Sequence, residues 1–198
     1  MTALRKTPIA LIPGTAPFAI RSEREQDVAV RETLLDACFG DDRQERTCQR
    51  LRDGHTPAEG LAFSAMREGR LVGTLRLWRV NAGGVPALVL GPLAVNPLCR
   101  GLGMGAALVT HALTAAKARG HGAVILLGDA AYYTRFGFSA APTAKLQLPG
   151  PFERDRLLAL ELREGALDGV SGLIEAAGRP ALKARTSRGR RAPRARAA

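Results

Sequence analysis

Along residues 71–80 apolar and polar positions interleave: Leu71, Gly73, Leu75 and Leu77 alternate with Val72, Thr74, Arg76 and Trp78. A period of two belongs to a strand. Residues 61–67 make a second such run, and Glu68-Gly69 between them is a tight turn, so the two read as an antiparallel hairpin. After a turn at residues 81–84, residues 87–95 are almost continuously apolar, as expected for a central strand covered on both faces. The period then changes. Over residues 103–119, Met104, Leu108, Ala112 and Ala115 share one face of a helix and Thr110, Thr114 and Lys117 lie on another, with Gly120 and Gly122 ending it. Residues 123–127 form a further buried strand and residues 130–136 a short helix. Upstream, residues 18–21 suggest a short strand. Residues 25–39 suggest a helix with Val28, Leu34 and Leu35 on its apolar side, stopped by Gly40. Residues 43–53 suggest a second, more polar helix stopped by Gly54. Downstream, Leu146 and residues 157–162 suggest two final strands.

This order is an antiparallel start followed by one strand–helix–strand unit, whose crossover should be parallel and right-handed. The predicted fold class is α/β of mixed α+β character. One domain is expected over residues 16–177, after a loose leader at residues 1–15 and before a tail at residues 178–198. The tail is Arg, Ala, Pro and Gly. It holds too little apolar surface to offset the entropy of ordering and is expected to be disordered.

Charge changes the picture only at that tail. The formal net charge is +11, yet eight of the 29 basic residues lie from Arg179 onward with no acid among them, leaving 21 against 18 acidic residues elsewhere. The expected domain is mildly basic, and the tail is suited to weak, sequence-independent contact with nucleic acid. Three scattered cysteines, Cys38, Cys48 and Cys99, lack metal-site spacing and suggest reduced thiols and a cytoplasmic location; no metal is expected. The N-terminal apolar run is broken by Pro8 and Pro13, and no later stretch is long enough to span a membrane. Monomer and homodimer both remain open.

The chemistry-bearing segment runs from Leu93 to Gly105. It reads as a buried strand, a turn opened by Pro97, Arg100, then Gly101, Gly103 and Gly105 entering a helix. Glycines allow close approach of a ligand to backbone and tolerate positive φ. The head of the helix offers unpaired N–H groups and the positive end of its dipole, and Arg100 adds a planar cation. Together these suit a diphosphate.

Arg100, Gly103 and Gly105, with Val95 and Pro97 before them, resemble the coenzyme A-binding motif of the GNAT superfamily of N-acetyltransferases. Tyr133-Thr134-Arg135-Phe136-Gly137-Phe138 resembles that family's Y-x-x-x-G-F ending. The stretch from Leu160-Glu161-Leu162 to Gly165-Ala166-Leu167-Asp168-Gly169 is similar to a bacterial subgroup with unassigned substrates. The resemblance implies a mostly antiparallel mixed sheet with a central parallel unit and helices on both faces. It also implies acetyl-coenzyme A as co-substrate and direct attack by a primary amine, from a small molecule or a protein. Backbone groups of Leu93, Ala94 and Val95 would meet the pantetheine arm and thioester. The amides of Arg100, Gly101, Leu102, Gly103, Met104 and Gly105 would hold the pyrophosphate. Tyr133 would protonate the departing thiolate, with the neighbouring Tyr132 as the alternative acid. One departure is visible: Leu126-Leu127-Gly128-Asp129 stands where many members carry an asparagine.

The base that takes the amine's proton has no signature, and Glu68, Asp129 and His111 are the candidates. Two rival readings use the same chain. Gly101, Gly103 and Ala106 imitate the G-x-G-x-x-A of Rossmann-type binders of NAD or S-adenosylmethionine, with Asp129 after the next strand. Residues 96–100 separate strand from glycines more widely than that turn allows. The second rival is a nucleic-acid-associated protein acting through the Arg-rich tail.

Overall fold

A computed structural model of the protein describes residues 18–181. Its strands are β1 (Phe18–Ser22), β2 (Ala62–Arg67), β3 (Arg70–Ala82), β4 (Val85–Val95), β5 (Ala123–Leu127), β6 (Leu146–Gln147), β7 (Leu157–Glu161) and β8 (Gly172–Ala176). Its helices are α1 (Val28–Phe39), α2 (Met104–Ala118) and α3 (Ala130–Tyr133). The main sheet runs β1-β2-β3-β4-β5-β7. Neighbours are antiparallel except β4 and β5, which are parallel and joined through α2.

The near-continuous apolar runs of β3, β4 and β5 feed two cores. Leu75, Leu77, Leu88, Leu90, Val124 and Leu126 meet Leu108, Val109, Ala112 and Ala116 of α2. Their neighbours Trp78, Val80, Val89 and Ile125 face the opposite side, against Leu146, Leu157, Leu167 and Ile174. On that opposite side α1 seats Leu34 and Leu35 on Ala94. Helices thus cover both faces of a mostly antiparallel mixed sheet, as expected.

Two features of β4 shape the clefts beside it. Leu75 pairs with Leu93 but Leu77 with Leu90, so Gly91 and Pro92 oppose the single residue Arg76. This is a bulge, which bends its strand. The Trp78 indole N–H donates to the Gly91 carbonyl at 2.5 Å and anchors it. Next, β4 and β5 pair only at Leu88↔Val124 and Val89↔Ile125. Beyond that point the strands splay, and the β4 edge from the bulge to Val95 has no strand partner on its β5 side.

The structure departs from the sequence pattern in three places. Residues 43–53 are not a helix but two 3-10 turns, Asp41–Glu45 and Thr47–Leu51. They are held from outside: Thr47 Oγ1 donates to the Pro151 carbonyl at 2.5 Å and Arg50 to the Pro149 carbonyl at 2.7 Å. With only Cys48 and Leu51 to bury, the segment has no apolar stripe to support a longer helix. Second, β8 extends the β3 edge where β2 stops, pairing Val80, Asn81 and Ala82, and also pairs β6. Third, Val28 is 41% exposed, and the α1 face bearing Leu34 and Leu35 carries the inward contact. Backbone pairing continues to Ala181, whose N–H donates to the Gly54 carbonyl at 2.7 Å. The rest of the basic tail and the leader lie outside the described residues. Among those residues no helix is long and apolar enough to cross a membrane, and no group of three His, Cys, Asp or Glu side chains is placed to hold a metal ion.

Candidate active site

Two cavities lie on either side of the freed β4 edge and meet at Leu93 and Phe39, which line both. The first, about 470 Å³, is built almost entirely from one stretch of chain. It is lined by Leu93, Ala94, Val95, Cys99, Arg100, Gly101, Gly103, Met104, Gly105 and Ala106, with Cys38 from α1 and Tyr132 and Arg135 from the segment after β5.

Its floor is the head of α2. Pro97–Cys99 forms a 3-10 turn capped by the Asn96 side chain, which accepts from the Leu98 N–H at 3.0 Å. Gly101 and Gly103 follow at φ +80° and +76°, with open space where a side chain would stand. A Cβ at either position would be strained and would project into that space. Arg100 is exposed and has no ion pair among the described residues. Gly105 has a different role. A Cβ there would lie 2.9 Å from the Tyr132 hydroxyl, so the missing side chain admits the phenol to the helix head.

The wall is β4. The Val95 carbonyl accepts from Cys38 Sγ at 3.5 Å, so the backbone groups of Val95 point away from β3. Backbone direction alternates along a strand, so Leu93 points the same way and Ala94 points into the ladder with Thr74. The open edge therefore belongs to Leu93 and Val95, while Ala94 contributes its side-chain face. Leu102 packs with Val72, Cys99 and Met104 beneath the turn.

The second cavity, about 880 Å³, draws on four separated segments. These are Phe39 with the 3-10 turns (Arg43, Arg46, Arg52), the bulge (Leu90 to Leu93), the β5 exit (Leu126 to Asp129 with Tyr133) and Pro151 to Arg156. Tyr133 packs edge-on against Phe138, with ring centroids 5.8 Å apart, and burial pushes its hydroxyl up to about 12. The ring depends on Gly128, where a Cβ would come within 2.5 Å of it. That explains a glycine in this loop. Asp129 next to it caps α3, accepting from the Ala131 N–H at 3.0 Å.

Of the three candidate bases, Asp129 alone lines either of these two cavities. Glu68 sits in the β2–β3 turn with a side chain 73% exposed. His111 stacks edge-on against Phe63 at 4.7 Å on α2. Residue-type reasoning did not single out Arg52, Phe39 or Glu153. They come from distant parts of the chain and carry no local signature.

Comparison with known proteins agrees with this geometry. Residues 28–138 match the acetyltransferase (GNAT) family. The chain belongs to the GNAT family. It is 32% identical over 158 residues to the uncharacterized N-acetyltransferase YhbS of Escherichia coli K12, a match spanning 79% of this chain and 94% of that protein. The crystal structure of Escherichia coli YhbS in complex with coenzyme A superposes with a TM-score of 0.71 at 29% identity, covering 85% of this chain and 94% of that one. A GNAT acetyltransferase from Brucella melitensis in complex with acetyl-coenzyme A gives a TM-score of 0.54 at 26% identity, covering 78% of this chain and all of that one. This GNAT chain is therefore an acetyltransferase, of a family whose co-substrate is acetyl-coenzyme A. The match to YhbS agrees with the bacterial subgroup seen in residues 160–169, where Glu161 Oε1 accepts from the Leu167 N–H at 2.6 Å and closes the turn. The mostly antiparallel sheet also removes the basis for a Rossmann reading.

Proposed function

We propose that the protein transfers the acetyl group of acetyl-coenzyme A to a primary amine by direct attack within a ternary complex. The observation that carries this reading is the junction at Leu93, where the cradle at the head of α2, the freed β4 edge and the second cavity come together.

The cradle fits a diphosphate. Gly101 and Gly103 leave the α2 N–H groups uncovered, the helix dipole favours an anion there, and Arg100 and Arg135 supply cations. The amides from Arg100 to Gly105 take the pyrophosphate. The backbone of Leu93 and Val95 guides the pantetheine arm toward the splay, with Ala94 behind it. The thioester then faces the second cavity, and N–H groups of this edge stabilise the oxygen that gains charge during attack.

The reaction is a balanced exchange. The amine nitrogen forms a bond to the thioester carbon, the carbon–sulfur bond breaks, and one proton passes from nitrogen to sulfur. Tyr133 donates a hydrogen bond to the departing sulfur. With burial holding its hydroxyl up to about 12, Tyr133 stays protonated at neutral pH and keeps a proton ready for that sulfur. Tyr133 is thus the general acid to the departing thiolate, and the proton it gives up is made good by the one the amine loses. Asp129, at the mouth of the same cavity, takes the amine's proton directly or through water and returns it to the Tyr133 oxygen, so the net transfer runs from nitrogen to sulfur.

Coenzyme A release measured over a panel of amines, with both substrates varied, tests the reading. Intersecting double-reciprocal lines are expected for a ternary complex. Parallel lines would instead require an acetylated enzyme and overturn direct attack.

A further inference from the structure

The second cavity carries a charge pattern that the transfer reaction itself does not require. Four arginines line it, Arg43, Arg46, Arg52 and Arg156, against two acids, Asp129 and Glu153. Three of the four cations are already engaged. Arg43 holds Asp36 at 2.6 Å and Glu32 at 2.5 Å. Arg156 pairs with Glu153 at 3.2 Å. Arg46 donates to the Phe39 carbonyl at 3.2 Å and covers the Phe39 ring.

Arg52 is different. It has no ion pair or side-chain hydrogen bond among the described residues, and its Nε is buried without a partner. Burial pulls its guanidinium down from the ordinary arginine value, opposed by Cys48 and Asp53 and reinforced by repulsion from Arg43 and Arg46. A half-buried cation with no ion pair is costly, and such groups are normally matched by an anion. The position is informative. Arg52 Nη1 lies 3.2 Å from where a Gly91 Cβ would stand, so the guanidinium rests against the β4 bulge, two residues from Leu93. The Gly91 carbonyl is already taken by Trp78, so Arg52 is not there to satisfy it. The diphosphate of the co-substrate belongs to the cradle on the other side of β4, with its own arginines.

We propose that the acceptor amine also carries an anionic group, a carboxylate or a phosphate-type oxyanion, and that Arg52 binds it beside the bulge. The inference rests on the acetyl-transfer reading and names the substrate class of that site. A guanidinium offers paired donors that match both oxyanions. The anion docks on Arg52 at the α1 side of the cavity, leaving the amine to face the thioester and Asp129. Polycationic acceptors meet the unpaired Arg52 guanidinium in that position and are disfavoured.

The test compares acetyl transfer to ω-amino carboxylates and ω-aminoalkyl phosphonates of graded length with transfer to their uncharged amides and esters and to diamines. Binding of the same anionic amines to the coenzyme A-loaded protein is followed by calorimetry. The anionic amines are expected to have kcat/KM about tenfold or more above their neutral counterparts, the equivalent of roughly 1.4 kcal/mol. The ratio of carboxylate to phosphonate arms identifies which oxyanion fits. Arg52→Gln should raise KM for the anionic amines and collapse the preference, and Arg52→Lys should keep part of it, with coenzyme A affinity as the check on folding. Preference for diamines or neutral amines would overturn the inference while leaving acetyl transfer standing. So would an equal fall in kcat for all amines in Arg52→Gln, which would place Arg52 on the acyl group. If no anionic amine is either acetylated or bound, the inference fails. Coenzyme A binding, measured separately, decides the transfer reading.

Discussion

The two cavities that meet at Leu93 are built in opposite ways. The proposed cofactor side comes mostly from residues 93–106, a continuous strand, turn and helix head, and the groups proposed to work there are backbone amides. The proposed acceptor side joins four segments spread over more than 100 residues, from Phe39 to Arg156, and the groups proposed to work there are side chains. Backbone chemistry serves a ligand part that every member of a family shares. Side chains from separate loops can change one at a time without disturbing the sheet. The adjacent tyrosines follow the same division, with Tyr132 at the helix head and Tyr133 in the acceptor cavity.

The largest effect should come from filling the cradle. Gly103→Glu puts a side chain at φ +76° and a negative charge in the open space proposed for the diphosphate. Strain of about 1–2 kcal/mol together with like-charge repulsion should weaken coenzyme A binding by about 100-fold or more in calorimetry. Retained affinity would show that the diphosphate binds elsewhere.

Next comes Tyr133→Phe, which should lower kcat by about 100-fold and change coenzyme A affinity little. Unchanged turnover would take Tyr133 out of its role. Tyr132→Phe should show the reverse pattern at smaller scale, a rise of about threefold in KM for acetyl-coenzyme A through loss of one hydroxyl at the helix head, with kcat held. If Tyr132→Phe instead lowered kcat and Tyr133→Phe did not, the two tyrosines would exchange roles.

A substitution outside both cavities bounds these effects. Asp27, buried before α1, accepts from Arg21 at 2.6 and 2.8 Å, from Ser64 at 3.1 Å and from the Arg24 N–H at 2.9 Å. The Arg21 hydrogen bond leads in holding its carboxyl well below the usual 3.8. The folded state thus keeps Asp27 ionised at lower pH than the unfolded chain does. Its contribution is complete above about pH 5 and drains away as pH falls below about 4. Asp27→Asn should cost about 3 kcal/mol, lowering Tm by about 9 °C at pH 7, and should flatten the acid limb of the stability curve. An unchanged acid limb would show that other carboxylates set it.

Much of this molecule can be read from local pattern. The alternation in residues 71–80, the unbroken apolar run before Val95 and the helical period after Gly103 each specify an element whose partners are near in sequence. The cradle sits where those elements join, so Arg100, Gly101 and Gly103 are visible from spacing alone. Gly105 is visible from the same spacing, but the room its missing side chain makes for Tyr132 is not, because that contact lies 27 residues away in sequence. The short β8 has a weak apolar pattern and exists because β3 outruns β2 and leaves an edge to fill. The turns at residues 41–51 look like a helix in isolation and are set by carbonyls near Pro149 and Pro151.

What the sequence by itself determined is the central strands, the crossover helix and the glycine-rich turn between them, because each rests on periodicity and glycine conformation within one short window. The tertiary structure alone decided the acceptor cavity and the unpaired state of Arg52. Those depend on which distant side chains the bulge at Gly91 and the splay after Val89 bring together, and contact between remote residues leaves no periodic trace in a chain.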